Sequence, residues 1–239
     1  MSRLRVWFTR AGSLAMDVLF PSGVICLNCG EASDGRLLCD ECRLRLDAMR
    51  IREPICPRCG AENPYGGPCA CRAMPEGAVR MRSVWRYAYI AKRLVGQMKF
   101  SAVSDAASVL ADGLAEAAAS MHLPPDTVVT SVATTRGRKR MRGIDHGMML
   151  AKMTAERTGL PYRSLLIRKP GGRPQRGLNR ERRLVNLEGR FTAAVEPGRP
   201  VLLVDDVLTT GATADVCVRA LRQAGSGDVY VLTATRVMR

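Results

Sequence analysis

Residues 201–213, from Val201 to Thr213, read VLLVDDVLTTGAT. Val201 to Val204 form an unbroken aliphatic run, the pattern of a buried parallel strand, where both faces are covered and apolar residues need not alternate. Asp205 and Asp206 follow at its carboxyl end. Adjacent carboxylates repel one another, and open α/β folds place their ligands at that end of the strands. Gly211 permits a tight turn, while Thr209, Thr210 and Thr213 set hydroxyls beside backbone amides and Ala212 opens a helix. Converging N–H groups at a helix start favour a phosphate. Ionised carboxylates only accept hydrogen bonds, so an acid pair next to such a turn suits the vicinal hydroxyls of a phosphorylated sugar. Aspartate pairs also end strands in magnesium-dependent phosphotransfer proteins, and the Leu208-to-Thr213 continuation separates the two. The chain has neither a G-x-x-x-x-G-K-[ST] loop nor a G-x-G-x-x-G turn opening a helix.

Outward from this stretch, the pattern alternates strands with helices. Residues 81–100 pass from a short strand into a helix, and the alanine-rich residues 102–121 make a second. Residues 127–133 read as a buried strand, 144–158 as a helix and 164–168 as a strand. Residues 212–223 are helical, Gly225 and Gly227 end that helix, and residues 228–235 form a last strand. The expected class is α/β, a mainly parallel sheet with helices on both faces, preceded by a small cysteine-rich domain.

Eight of the nine cysteines lie between Cys26 and Cys71. They fall as Cys26-x2-Cys29-x9-Cys39-x2-Cys42 and Cys56-x2-Cys59-x9-Cys69-x-Cys71, an internal repeat in which the first three of each set are offset by thirty residues. Gly30 and Gly60 free the backbone of each knuckle to turn toward a metal. Thiolates so spaced suit tetrahedral zinc, and four of them leave no open position, so two structural zinc ions are expected. A disulfide framework is the competing explanation, and the absence of a signal-peptide pattern argues against it. Cys217 stands apart in a helix as a small buried side chain.

Residues 1–20 read as an amphipathic helix, 21–75 as a double zinc ribbon, and 80–239 as the α/β domain. No run approaches the ~18 apolar residues of a membrane helix, and a cytoplasmic location is expected. The formal charge is +15, and residues 136–190 carry 16 Lys/Arg against 4 Asp/Glu, a local excess of +12. Such a concentration points either to a polyanionic partner or to a solvated basic face. Arg138, Lys139, Arg140 and Arg142 are its densest cluster and the candidates for nucleic-acid contact. His146, at a loop-to-helix junction, reads as a surface or capping residue more readily than as a base.

The stretch VLLVDDVLTTGAT resembles the phosphoribosyl-pyrophosphate (PRPP) motif of type I phosphoribosyltransferases. Behind a double zinc ribbon, it resembles the ComF/GntX-like family, which is linked to natural competence and the use of external DNA. In that family's pattern, an arginine-rich segment corresponds to Arg142–His146. A later stretch corresponds to Gln175, Gly177, Leu178, Arg182 and Asn186, and a lysine–aromatic pair to Lys99 and Phe100. The resemblance implies that Asp205 and Asp206 bind the ribose hydroxyls while Thr209, Thr210, Gly211, Ala212 and Thr213 hold the 5′-phosphate. It also implies a pyrophosphate loop at Thr134, Thr135 and Arg136, magnesium accompanying PRPP, and a loop over the site at 170–188. Ala133, and Ile144-Asp145-His146, depart from the family's proline and Phe-Asn-Gln.

Two functions remain open on this reading. One is a DNA-handling protein of this type that keeps a PRPP site and contacts single-stranded DNA through residues 136–190. The other is an active phosphoribosyltransferase with an unidentified acceptor, in which the protein positions the sugar and neutralises the leaving pyrophosphate. Aromatic residues are only 5% of the chain, so DNA contact should be electrostatic rather than sequence-reading.

Overall fold

The computed structural model describes residues 24–67, 69–100, 104–134, 145–169, 187 and 189–238. The expected helix at 1–20, Thr135, Arg136, the basic cluster Arg138, Lys139, Arg140 and Arg142, and residues 170–188 apart from Leu187 lie outside the described residues. The chain divides into two compact units between Ala48 and Met49.

In the first unit, a cysteine knuckle leads into α1 (Asp40–Asp47), with Cys39 as its N-cap. Asp40 and Glu41 in the first turn suit the positive end of the helix dipole. Cys42 and Leu46, four residues apart, share the buried face. Arg36 and Arg43 both pair with Asp40, and these exposed pairs add little to stability.

The second unit is built on β1 (Ala78–Arg86), β2 (Val128–Ser131), β5 (Val201–Leu208) and β6 (Val229–Arg236), all parallel in the order β1-β6-β5-β2. On one face, Val201, Leu203, Val229 and Val231 pack with Cys217, Val218 and Leu221 of α5 (Ala212–Gln223). On the other lie α2 (Tyr89–Phe100), α3 (Ser104–Ala119) and α4 (His146–Thr158), above Leu202, Val204, Leu232 and Ala234, which have no exposed surface. Burial on both faces is why β5 carries no polar alternation, and each buried leucine or valine contributes roughly 1.5–3 kcal/mol. Gly113 lets α3 lie against β1, since a Cβ there would come within 2.2 Å of the Trp85 ring.

Three details differ from the expected elements. Residues 164–168 do supply a strand, β3 (Leu166–Arg168), but it pairs antiparallel with β4 (Phe191–Ala193), outside the parallel sheet. The edge beside β2 is instead extended by Tyr162, bridged in parallel to Val129. Finally, β5 does not stop at Val204. It continues through both aspartates to Leu208, because Asp205 and Val207 keep their register with Thr233 and Thr235 of β6.

Candidate functional site

Asp205 and Asp206 are consecutive in a strand, so their side chains leave opposite faces of the sheet. The Asp206 N–H donates to Asp205 Oδ1 at 2.9 Å, and Thr235 Oγ1 donates to the Asp206 carbonyl at 2.9 Å. Beneath them, Ser83 and Thr233 share a buried hydroxyl bond of 2.7 Å that ties β1 to β6. Lys99, in the last turn of α2, places Nζ 2.6 Å from Asp206 Oδ2. Burial, reinforced by the neighbouring Asp206 charge, pushes the Asp205 carboxyl up to about 7, against the pull of the Asp206 N–H and Lys99. Protonation of Asp205 relieves the repulsion within the pair, and Lys99 supplies a cation to Asp206.

The chain leaves β5 through Thr209 and Thr210 and enters α5 at Gly211, whose φ of 78° is the left-handed conformation that glycine adopts freely. The Gly211 carbonyl accepts from Asp215 N–H at 2.8 Å, closing the first helical turn. Gly211, the N-cap, has no side chain to cap α5, and Ala212 N–H donates to Thr210 Oγ1 at 3.4 Å, which sets the Thr210 hydroxyl beside the helix start where an anion is favoured. The structure thus brings Asp205, Asp206, Thr209, Thr210, Gly211, Ala212 and Thr213 together at one end of β5. Thr134 lies beyond β2, which pairs with β5, and Val132 N–H still bonds the Val204 carbonyl at 3.3 Å. Thr134 Oγ1 reaches Asp145 Oδ1 at 3.4 Å, and that carboxylate caps α4 by accepting from Met148 N–H at 3.1 Å. His146 is neither a surface nor a capping residue: Asp145 is the cap, and His146 is buried in the first turn. The Lys99–Asp206 contact had no local sequence signal, because it joins positions more than a hundred residues apart.

The two knuckles repeat each other in space as in sequence. Cys26 N–H bonds the Glu31 carbonyl and Gly30 N–H the Cys26 carbonyl; Cys56 with Ala61, and Gly60 with Cys56, do the same thirty residues on. Gly30 and Gly60 have φ of 81° and 60°, as such turns require. Within each set, Cys26, Cys29, Cys39, Cys42 and Cys56, Cys59, Cys69, Cys71, the four sulfurs lie within 4.8 Å of one another. Zn–S bonds of about 2.3 Å give a tetrahedron with edges of ~3.8 Å. The Cys29–Cys39, Cys56–Cys71 and Cys59–Cys69 sulfur separations are 3.7, 3.7 and 3.6 Å. The short Cys69-x-Cys71 spacer closes because Cys71 takes a positive φ of 47°. Both donor sets therefore fit zinc. Burial, with neighbouring thiols, pushes Cys42 and Cys71 each up to about 12. A bound cation reverses that preference and holds the sulfurs as thiolates.

Comparison with known proteins places these sites in a family. The chain is 31% identical over 206 residues to the DNA utilization protein YhgH of Salmonella typhi, covering 82% of this chain and 90% of that one. It belongs to the ComF/GntX-like family. Residues 15–73 of this ComF/GntX-like chain match the double zinc ribbon domain, so the two cysteine sets are structural zinc sites. Competence protein F of Haemophilus influenzae is 25% identical over 205 residues, 81% of this chain and 88% of its own. Among solved structures, glutamine PRPP amidotransferase from B. subtilis aligns at 23% identity with a TM-score of 0.40, over 58% of this chain and 30% of that chain's length. No helix among the described residues is long and apolar enough to cross a membrane.

Proposed function

We propose that this chain binds PRPP or a related sugar phosphate, with magnesium, and handles single-stranded DNA during its uptake or use in the cytoplasm. The observation that carries the sugar-phosphate part is the meeting of the Asp205–Asp206 pair, the Thr209–Thr213 turn and Lys99 at the carboxyl end of β5. On this reading the 5′-phosphate accepts from the first amides of α5, and the ribose hydroxyls donate to the two carboxylates. Thr134, Thr135 and Arg136 take the pyrophosphate, whose charge magnesium offsets. The DNA part rests on the names of the relatives, "DNA utilization protein" and "Competence protein F", and on the +12 excess of residues 136–190. A second reading, an active phosphoribosyltransferase, is favoured by a cavity that borders the same turn.

Calorimetric titration with magnesium PRPP, with and without a DNA oligonucleotide, tests both parts. Saturating PRPP at about a hundred times its dissociation constant should stabilise the wild type by roughly 2.7 kcal/mol. Asp205→Asn combined with Asp206→Asn should abolish the binding heat and the stabilisation. An undiminished response in that double variant refutes the ribose role of the pair.

A further inference from the structure

Helix α2 starts three residues past the end of β1, and its last turn reaches Asp206 on β5. It therefore crosses the end of β6, which lies between those two strands. Ile90, Ala91, Leu94, Val95 and Met98 form its buried side. The opposite face carries Tyr89, Lys92, Arg93, Gly96 and Lys99, spaced i, i+3, i+4, i+7 and i+10.

That outer face breaks three local rules without a packing reason. Tyr89 has a φ of 35°, a left-handed conformation unfavourable for a residue with a β-carbon, yet it is 86% exposed. Lys92 ends the first turn of a helix that contains no carboxylate, so cations rather than acids gather toward the positive end of its dipole. Lys92 and Arg93 are exposed and form no ion pair among the described residues. Gly96 weakens the helix interior, although a Cβ there would meet nothing within 4 Å. Departures that nothing inside the fold compensates mark a functional surface.

Resting on the DNA reading above, we propose that the outer face of α2 is a second contact surface for single-stranded DNA, leading the strand toward Asp206. The exposed Tyr89 ring is a stacking platform for any base, and Lys92 and Arg93 beside it neutralise the flanking phosphates. Gly96 leaves a low point where a strand can pass close to the helix backbone, and Lys99 joins the track to Asp206. From Tyr89 to Lys99 the helix spans about 15 Å, the length of roughly four stacked nucleotides. An acidic peptide would satisfy the two cations alone, whereas every nucleotide brings both a phosphate and a π-face.

The test uses the full zinc-loaded chain and a short fluorescein-labelled oligothymidylate, titrated by anisotropy at several salt concentrations. Tyr89→Gly should weaken binding roughly tenfold while stability toward urea stays equal or rises, because glycine adopts the positive φ freely. Tyr89→Phe should bind within about twofold of the wild type, since stacking needs the ring and not the hydroxyl. Lys92→Gln with Arg93→Gln should make the log–log salt slope shallower by about 1.4, at ~0.7 per phosphate. Zinc content should be unchanged in all three. Wild-type affinity in Tyr89→Gly, or a wild-type slope in the Lys92/Arg93 variant, overturns the α2 surface. The DNA reading then stands if alanine at Arg138, Lys139, Arg140 and Arg142 still weakens binding. Loss of binding in Tyr89→Gly that tracks a loss of stability makes the ring structural and also overturns the surface. So does equal competition by polyglutamate of matched charge, which would mark an acidic protein partner instead. If the wild type binds no DNA at low salt, the DNA reading fails and this surface falls with it.

Discussion

Replacing Asp205 by Asn should stabilise the sheet unit, and increasingly so as pH rises. In the unfolded chain this carboxyl ionises near 3.8, whereas in the folded protein burial and the adjacent Asp206 hold it protonated up to about 7. Between those values the native state binds the extra proton, so raising the pH costs stability until the native carboxyl has also ionised. From pH 5.5 to the folded value near 7, the shift corresponds to at most about 2 kcal/mol at ~1.36 kcal/mol per pH unit. Asp205 is largely buried but keeps some exposed surface, and solvent screening there brings the expected change to about 1 kcal/mol. Asn keeps the shape and still accepts the Asp206 N–H through its amide oxygen, but it has no proton to lose. The gap between variant and wild type should therefore widen by ~1 kcal/mol from pH 5.5 to pH 8. Urea unfolding in a Trp7→Phe background, followed by fluorescence of Trp85, which is 2% exposed, reads the sheet unit. A gap that stays constant or narrows with pH refutes the assigned cause, because neither can arise from relief of a buried carboxylate.

Freshly purified, unchelated protein should contain two zinc ions per chain by elemental analysis. Cys26→Ser should remove one and unfold the first knuckle, since a structural zinc contributes on the order of 10 kcal/mol to folding such a module. Gly113→Ala should lower stability by roughly 1–3 kcal/mol, as the methyl forces α3 away from Trp85; an unchanged melting temperature would count against that packing. If residues 136–190 contact single-stranded DNA through about six phosphates, anisotropy titrations should give a log–log salt slope of about −4. Alanine at Arg138, Lys139, Arg140 and Arg142 should flatten that slope alike for every DNA sequence, without changing zinc content.

What could be read in the sequence was what is encoded locally. The aliphatic run of β5, the glycine of its turn and the cysteine spacings each dictate a backbone shape within a dozen residues, and each is found in place. Pairing partners were less legible. Residues 166–168 look as strand-like as any edge of the main sheet, yet they pair with residues 191–193, a choice made by packing on α5 and not by their own pattern. The continuation of β5 past Val204 was hidden for a related reason. Its register is held by Thr233 and Thr235 on the next strand, and a local reading sees only two charges where a strand would be expected to end. Likewise Lys99 carries no sign of its partner, because an ion pair between distant elements has no periodicity.

The strand order β1-β6-β5-β2 has a consequence for how the protein is made. The first two strands to leave the ribosome, β1 and β2, never touch; they are the outer members of the sheet, and both strands between them are encoded by residues 201–236. No ladder of the parallel sheet can close until that segment has been synthesised, so for most of translation the apolar faces of β1 and β2 have no strand to rest against. The cysteine knuckles, by contrast, draw all their ligands from residues 26–71 and are complete early. Metal capture therefore precedes sheet formation, and a nascent chain halted before residue 201 is expected to hold zinc while remaining a substrate for chaperones and proteases.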